Sequence, residues 1–407
     1  DMQQVIVGDP DTLFTGNRTI LLDPAGAGDS AAYPGSQVVT TVNQARNAVM
    51  NTAGACWVLV KRGITMTTSD RFSITNPATT NLYVGTYGSG ARPVMNMNSG
   101  ILTLNNGFSG DLVFTGLDFY GPYDEMTASG ATVTGIDGFD ATGCPMKMVD
   151  DCTIDGYKLA IHPTEAGNEN NWVMTIVNNT SIRYAGNYSC FSRGAFENVA
   201  FIGSPMAHHP FAAASGARLG NGNSQGPMRL TGSARGIISV CELFSKFGWS
   251  PSANVEEQSC VRNNTNNVPT YMALYDRVVF EGGQEVWNSG DNQSSNHQTN
   301  NILLEKCLLL GASTTVSLMQ IGNVGITIRN TIMVRPNSPF KFGDWDGFIA
   351  VQDNNNFQDP NARLSCINCT FVQAQSSANH TGVNQAIIWN DKGRTFNTFE
   401  NVNGVLH

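Results

Sequence analysis

Charge is scarce in this chain. Only 14% of residues are Asp, Glu, Lys or Arg, and 23 basic against 32 acidic residues leave a formal net charge of −9. No basic run appears, which removes the electrostatic footprint of a nucleic-acid binder. Long hydrophobic runs are missing as well: no apolar stretch reaches the roughly 18 residues that span a bilayer. The glycine-rich stretch Asp23–Ser30 is not followed by Gly-Lys-Ser/Thr, so it is no phosphate loop. The nine cysteines include one Cys-x-x-Cys, Cys366 to Cys369, and no second pair stands at zinc spacing. No complete catalytic signature of a lyase or hydrolase is present. The chain begins at Asp1 without an initiator Met, so a removed leader is expected, although none is visible.

What is abundant is turn chemistry. Glycine supplies 42 of the 407 residues, and asparagine is about as frequent. Low charge with much Gly, Asn, Ser and Thr suits a β-solenoid of short strands and many bends. The clearest pattern lies in Asn301–Val334. Ile302, Leu304, Cys307 and Leu309 align with Ile326, Ile328, Thr331 and Met333 about 24 residues on. Apolar residues alternate, break at a polar pair and alternate again, as in two strands joined by a tight bend. A repeat of that length predicts stacked parallel coils.

The second half of the row recurs as a polar residue, a small inward residue and a large apolar residue two further on. Copies are Asp151–Ile154, Asn179–Ile182, Asn198–Phe201, Arg277–Phe280 and Asn368–Phe371, with looser ones at Gly116–Phe119 and Val240–Leu243. The spacing predicts bends at Asn179, Asn198, Asn330 and Asn368, since Asn tolerates left-handed backbone and its amide can bond to the next coil. Cys152, Cys241, Cys307 and Cys369 occupy the small inward position and read as buried core thiols rather than disulfides.

Before the rungs, Thr19–Leu22 and Trp57–Val60 read as short strands. Thr40–Thr52 carries Val42, Ala45, Ala48 and Val49 on one helical face. Its helix would cover the first coil of a solenoid. The loop-helix-strand opening, the strand ending in Lys61-Arg62-Gly63, and Tyr87-Gly88-Ser89-Gly90-Ala91-Arg92-Pro93 resemble the start of right-handed parallel β-helix proteins of the pectate-lyase-like superfamily. That resemblance runs over about residues 18 to 375. It implies an all-β right-handed parallel β-helix, with residues 1–55 as N-terminal segment and helix cap and 56–407 as the coil. It leaves the reaction open, because the fold hosts polysaccharide lyases, hydrolases, phage tailspikes and adhesins. After Phe371 the pattern fades through Ile387-Ile388-Trp389, with no obvious cap before His407.

Function is expected in the segments between rungs, at about 203–236, 245–274, 282–300 and 335–363. A lyase needs a base and a cation beside a uronate carboxylate. Arg218, Lys246, His208 and His209 are the residues for that chemistry, though adjacent histidines cannot share one strand face. A hydrolase needs a carboxylate pair, for which Glu281, Glu285 and Asp291 are candidates. Trp249, Trp287 and Trp345 stand beside polar loop residues and suit stacking on sugars, with His297 as a further substrate contact. The competing reading is that each Trp packs its own loop. Asp344 and Asp346 alternate around Trp345 and would share a face able to hold Ca²⁺, the one cofactor suggested; a tight Asp-Gly turn is the alternative.

The sequence therefore supports an extracellular or virion-borne protein that binds and cleaves a polysaccharide or cell-surface glycan. The alternative is a non-catalytic structural or receptor-binding spike or adhesin, for which the resemblance to tailspikes implies a homotrimer.

Overall fold

The computed structural model describes residues 16–74, 79–104, 108, 110–122, 134–137, 146–157, 159–162, 173–183, 188–192, 197–208, 226–231, 234–240, 243–246, 259–264, 272–282, 285–289, 299–311, 317–321, 324–335, 347–351, 364–373, 386–390 and 398–406. Its strands form three sheets of 14, 12 and 11 members, called here A, B and C, and their pairings are parallel. Each turn of the chain adds one strand to each sheet in the order A, B, C. Thr299–Glu305 lies in A, Leu308–Leu310 in B and Ser317–Ile321 in C, and Val324–Arg329 returns to A. The fold is a parallel β-helix.

The register matches the spacing of the sequence. Ile302 pairs with Ile326 and Leu304 with Ile328 in sheet A, while Leu309 pairs with Met333 in sheet B. All six are at most 2% exposed and belong to one continuous core. Alternation thus sends one face of each strand inward, where every coil covers the apolar face of the last.

The bend between sheets A and B is built by a single left-handed residue. Asp151, Asn179, Arg277, Lys306, Asn330, Asn368 and Asn401 have φ between 46° and 55°. Gly116 and Gly203 take the same place at 72° and 58°. The N–H of the bend residue donates to a carbonyl of the next coil: Asn330 to Ile367 at 3.0 Å and Asn368 to Glu400 at 2.9 Å. The residue after the bend turns inward. Cys152, Thr180, Ser204, Val278, Cys307, Thr331 and Cys369 all lie at 3% exposure or below. Their hydroxyls join neighbouring coils, with Cys307 N–H donating to Thr331 Oγ1 at 3.2 Å and Thr180 N–H to Ser204 Oγ at 3.1 Å.

Side-chain amides form the expected ladder on the outside. Asn401 Nδ2 donates to Asn368 Oδ1 at 3.1 Å, and Asn368 Nδ2 to Asn330 Oδ1 at 3.3 Å. Asn368→Ala is expected to lower stability by about 1–2 kcal/mol, because the left-handed backbone penalises a Cβ and the ladder is cut. Asn368→Gly loses the ladder but not the conformation, and should cost less. Urea titration of the two variants compares the contributions.

Four expectations need correction. Asn198 is not at a bend. It lies inside the strand Glu197–Ile202, opposite Met174 and Gly236, and Gly203 makes that bend. The Val240–Leu243 copy is one residue out of phase, since Phe244, not Leu243, pairs with Phe280; Cys241 itself lies outside the described residues. The segments read as long loops contain the strands of sheet C, among them Gly226–Thr231, Ser259–Asn264, Glu285–Ser289 and Gly347–Val351. The coil also does not fade after Phe371: Ala386–Asn390, Thr398–Glu400 and Asn403–Leu406 continue all three sheets.

At the other end, the helix Val42–Asn51 forms where the apolar face predicts it. Val42, Ala45 and Val49 are buried and Ala48 packs beside them. Thr41 caps it by accepting from Gln44 N at 3.2 Å, while Gln44 Oε1 accepts from Thr40 N at 2.8 Å. Below it, Asp23 is 1% exposed and clamps the glycine-rich stretch, accepting from Ala25 N at 3.0 Å, Gly28 N at 3.2 Å and Lys61 Nζ at 2.9 Å.

Burial opposes the charge of Asp23, but these donors outweigh it and hold the carboxyl below its ordinary value. A depressed carboxylate adds stability above its unfolded pKa and loses it as pH falls through the folded one. Wild type is therefore expected to exceed Asp23→Asn in stability above about pH 4 and to converge with it below about pH 3. Denaturant midpoints measured across that range test the sign.

Candidate functional site

Three residues of sheet B are brought into one row. His208 ends the strand Met206–His208, Lys246 ends Leu243–Lys246, and Gly282 ends Val279–Gly282. His208 pairs with Lys246, and Lys246 with Gly282. Adjacent rungs stand about 4.8 Å apart, so an imidazole-bearing and an ammonium-bearing residue are neighbours although 38 positions separate them in the chain. The strands are anchored from within: Met206 and Phe280, two residues before His208 and Gly282, are fully buried. Gly282, at φ 83°, contributes no side chain to the third rung. Gly282 is buried, in the same phase as Phe280.

Glu281 stands next to Gly282 and is half-exposed. Its register row reads Arg183, Ala207, Ser245, Glu281 and Leu310. Two small residues thus separate a cation from a carboxylate along the edge where His208 and Lys246 stand. Beyond Gly282 only Gly283 and Gln284 lead into the strand Glu285–Ser289 of sheet C, so Glu281 and Glu285 flank one short corner.

Chain connectivity sorts the other candidates. Residues 209–225, 247–258 and 336–346 each join a strand of sheet B to one of sheet C. They carry His209 and Arg218, then Trp249, then Asp344, Trp345 and Asp346. Residues 290–298, with Asp291 and His297, instead join sheet C to sheet A. These eight residues lie outside the described residues, and so does any Ca²⁺ site at Asp344 and Asp346. Among the described residues no group of three or more His, Cys, Asp or Glu could hold a metal ion.

Trp287 is not a sugar platform. It sits mid-strand in Glu285–Ser289 at 0% exposure, paired with Val261 and Met319. Cys56, Cys152, Cys307, Cys366 and Cys369 are buried and free. Burial pushes the Cys152 and Cys307 thiols up to about 12, which keeps them protonated and inert. The Cys369 sulfur beside it, together with burial, pushes the Cys366 thiol up as well.

An open cleft of about 470 Å³ lies elsewhere, on the N-terminal coil, lined by carboxamides including Gln37, Gln44 and Asn47. It contains no titratable side chain. Sequence reasoning missed Arg183, which the sheet B register sets three rungs from Glu281 although 98 positions separate them in the chain.

No family model and no curated protein matches the chain. Solved structures of the GH136 lacto-N-biosidase from Eubacterium ramulus are similar to it. The native protein aligns at a TM-score of 0.46 and 10% identity, covering 94% of this chain and 67% of that one. The selenomethionine derivative aligns at 0.45 and 10%, covering 96% and 67%. A likeness of this size carries no chemistry across. No helix among the described residues is long and apolar enough to cross a membrane.

Proposed function

We propose that this protein binds a glycan along the edge between sheets B and C and cleaves it there. The register of His208 beside Lys246, with Glu281 on the next rung one residue from Gly282, is the observation that carries the reading. It is the kit of a β-eliminating polysaccharide lyase. His208 takes the proton next to the uronate carboxylate, and Lys246 balances the negative charge that builds on that carboxylate. The glycosidic C–O bond then breaks, its oxygen leaving with a proton from water, so that a new C=C bond is left on one fragment and a free reducing end on the other. Such polymers are met outside the cell or on a virion's target surface.

Hydrolysis is the second reading, supported by Glu281 and Glu285 on either side of a two-residue corner. The purified protein, incubated with acidic and neutral polysaccharides, separates the readings. Reducing ends with ultraviolet absorbance from an unsaturated uronate support elimination. Reducing ends without that absorbance support hydrolysis. No depolymerisation of any substrate overturns both and leaves a binding or structural role.

A further inference from the structure

The corner between sheets A and B repeats one inner arrangement. The residue two before the left-handed bend and the residue just after it both turn into the core. Around Asn179 these are Val177 and Thr180, and around Asn330 they are Ile328 and Thr331, all fully buried. Around Asn368 both are cysteines, Cys366 and Cys369, fully buried and free. Among the described residues no other bend carries a thiol at both places.

The two sulfurs converge. The side chains of Cys366 and Cys369 are hydrogen-bonded to each other. Cys369 Sγ also lies 3.4 Å from the carbonyl oxygen of Ile328 and 3.5 Å from that of Ile367. Ile328 is the register partner of Cys366, so the Cys369 sulfur is turned toward the column of sheet A that holds Cys366. The hydrogen bond from Cys366 holds the Cys369 thiol below its ordinary value, which makes Cys369 the sulfur that ionises first. Cover over the pair is thin. Phe399 pairs with Cys366 and shares its inward phase, yet is 44% exposed. Local opening of the strands Thr398–Glu400 and Asn403–Leu406 uncovers the thiols while the coils beneath stay folded.

We infer that Cys366 and Cys369 are an oxidation site that closes into a disulfide across the bend at Asn368. A small disulfide such as oxidised glutathione is the oxidant. The Cys369 thiolate attacks one of its sulfurs, forms a mixed disulfide and expels the first thiolate. The Cys366 thiol then loses its proton and attacks the Cys369 sulfur, expelling the second. One S–S bond forms in the protein, the S–S bond of the reagent breaks, and its two sulfurs leave as thiols with the two cysteine protons. The bridge staples the end of a sheet A strand to the start of the next sheet B strand. It stands apart from the glycan reading and from His208 and Lys246.

Trypsin releases both cysteines, and no other, in the peptide 364–392. The full chain is incubated with oxidised glutathione in native buffer, quenched with acid, alkylated in denaturant and digested. Mass spectrometry is expected to find this peptide without alkyl groups after oxidation and doubly alkylated after dithiothreitol. Cys366→Val and Cys369→Thr borrow residues that other coils use at these places, so each should fold, and neither should close. Oxidation should raise the urea midpoint of wild type and give neither variant that gain.

A doubly alkylated peptide after native oxidation overturns the site. So does closure seen only in urea, which would mean that the folded corner keeps the sulfurs apart. Glutathione retained on Cys369 without closure, or a bridge from either cysteine to another part of the chain, overturns the pairing. A wild-type midpoint that oxidation fails to raise overturns the staple.

Discussion

Lys246→Gln is expected to slow glycan cleavage by about 10²–10³-fold, the usual loss when one group that stabilises developing charge is removed. The expectation follows from register. Lys246 ends its sheet B strand between His208 on one rung and Gly282 on the other, so the proposed cation stands one rung from the proposed base. Because it acts on charge that builds only in the transition state, kcat should fall with little change in KM. His208→Ala should fall by a similar factor. The double variant should fall little further, because base and cation serve one step.

Glu281→Gln separates the two chemistries. Elimination leaves its rate within a few fold of wild type, whereas hydrolysis removes most of it. Lys246→Gln with full activity would sink the proposed role of this edge. Circular dichroism and the unfolding midpoint of the variant are measured alongside, so that a loss of fold is not read as a loss of chemistry.

Trp287→Ala is expected to lower stability by about 3–5 kcal/mol. The indole is fully buried between Val261 and Met319 on neighbouring rungs. It shares the core with Tyr275, which is itself fully buried, raised in pKa by burial, and packed edge-on against Phe280 at 5.6 Å between ring centroids. Truncation leaves a cavity under sheet C, directly beneath the rungs that carry Arg262 and Glu285.

Each coil of a solenoid touches only its neighbours, so the loss should appear first as faster amide exchange around Trp287 and then as an earlier denaturant midpoint. Trp287→Phe should retain much of the packing. If Trp287 were instead a sugar platform, Trp287→Ala would cut ligand binding and leave the midpoint unchanged. The burial argues for the opposite outcome.

The two expected results touch different levels of legibility. Trp287 was misread because its neighbours, Gly282-Gly283-Gln284 before and Asn288-Ser289-Gly290 after, look like a loop. Asn288 and Ser289 are in fact the end of the strand Glu285–Ser289. His208 and Lys246 were legible as titratable residues in polar stretches. Nothing in their spacing announced that one stands opposite the other.

Sequence by itself determined the coil, the A–B bend and the cap. A left-handed bend residue, an inward small residue and an apolar residue two further on are local features, and they repeat because every coil meets the same neighbours. The helix cap is local too, in Thr41 and Gln44. What only the tertiary structure decided is which distant residues share a rung. Sheet C carries weaker alternation, and connections of different lengths separate its strands from those of sheets A and B. The offset from one coil to the next therefore varies, and a fixed period cannot find it. Hydrogen bonding between whole coils sets that register, and the register puts Lys246 beside His208 and Trp287 in the core.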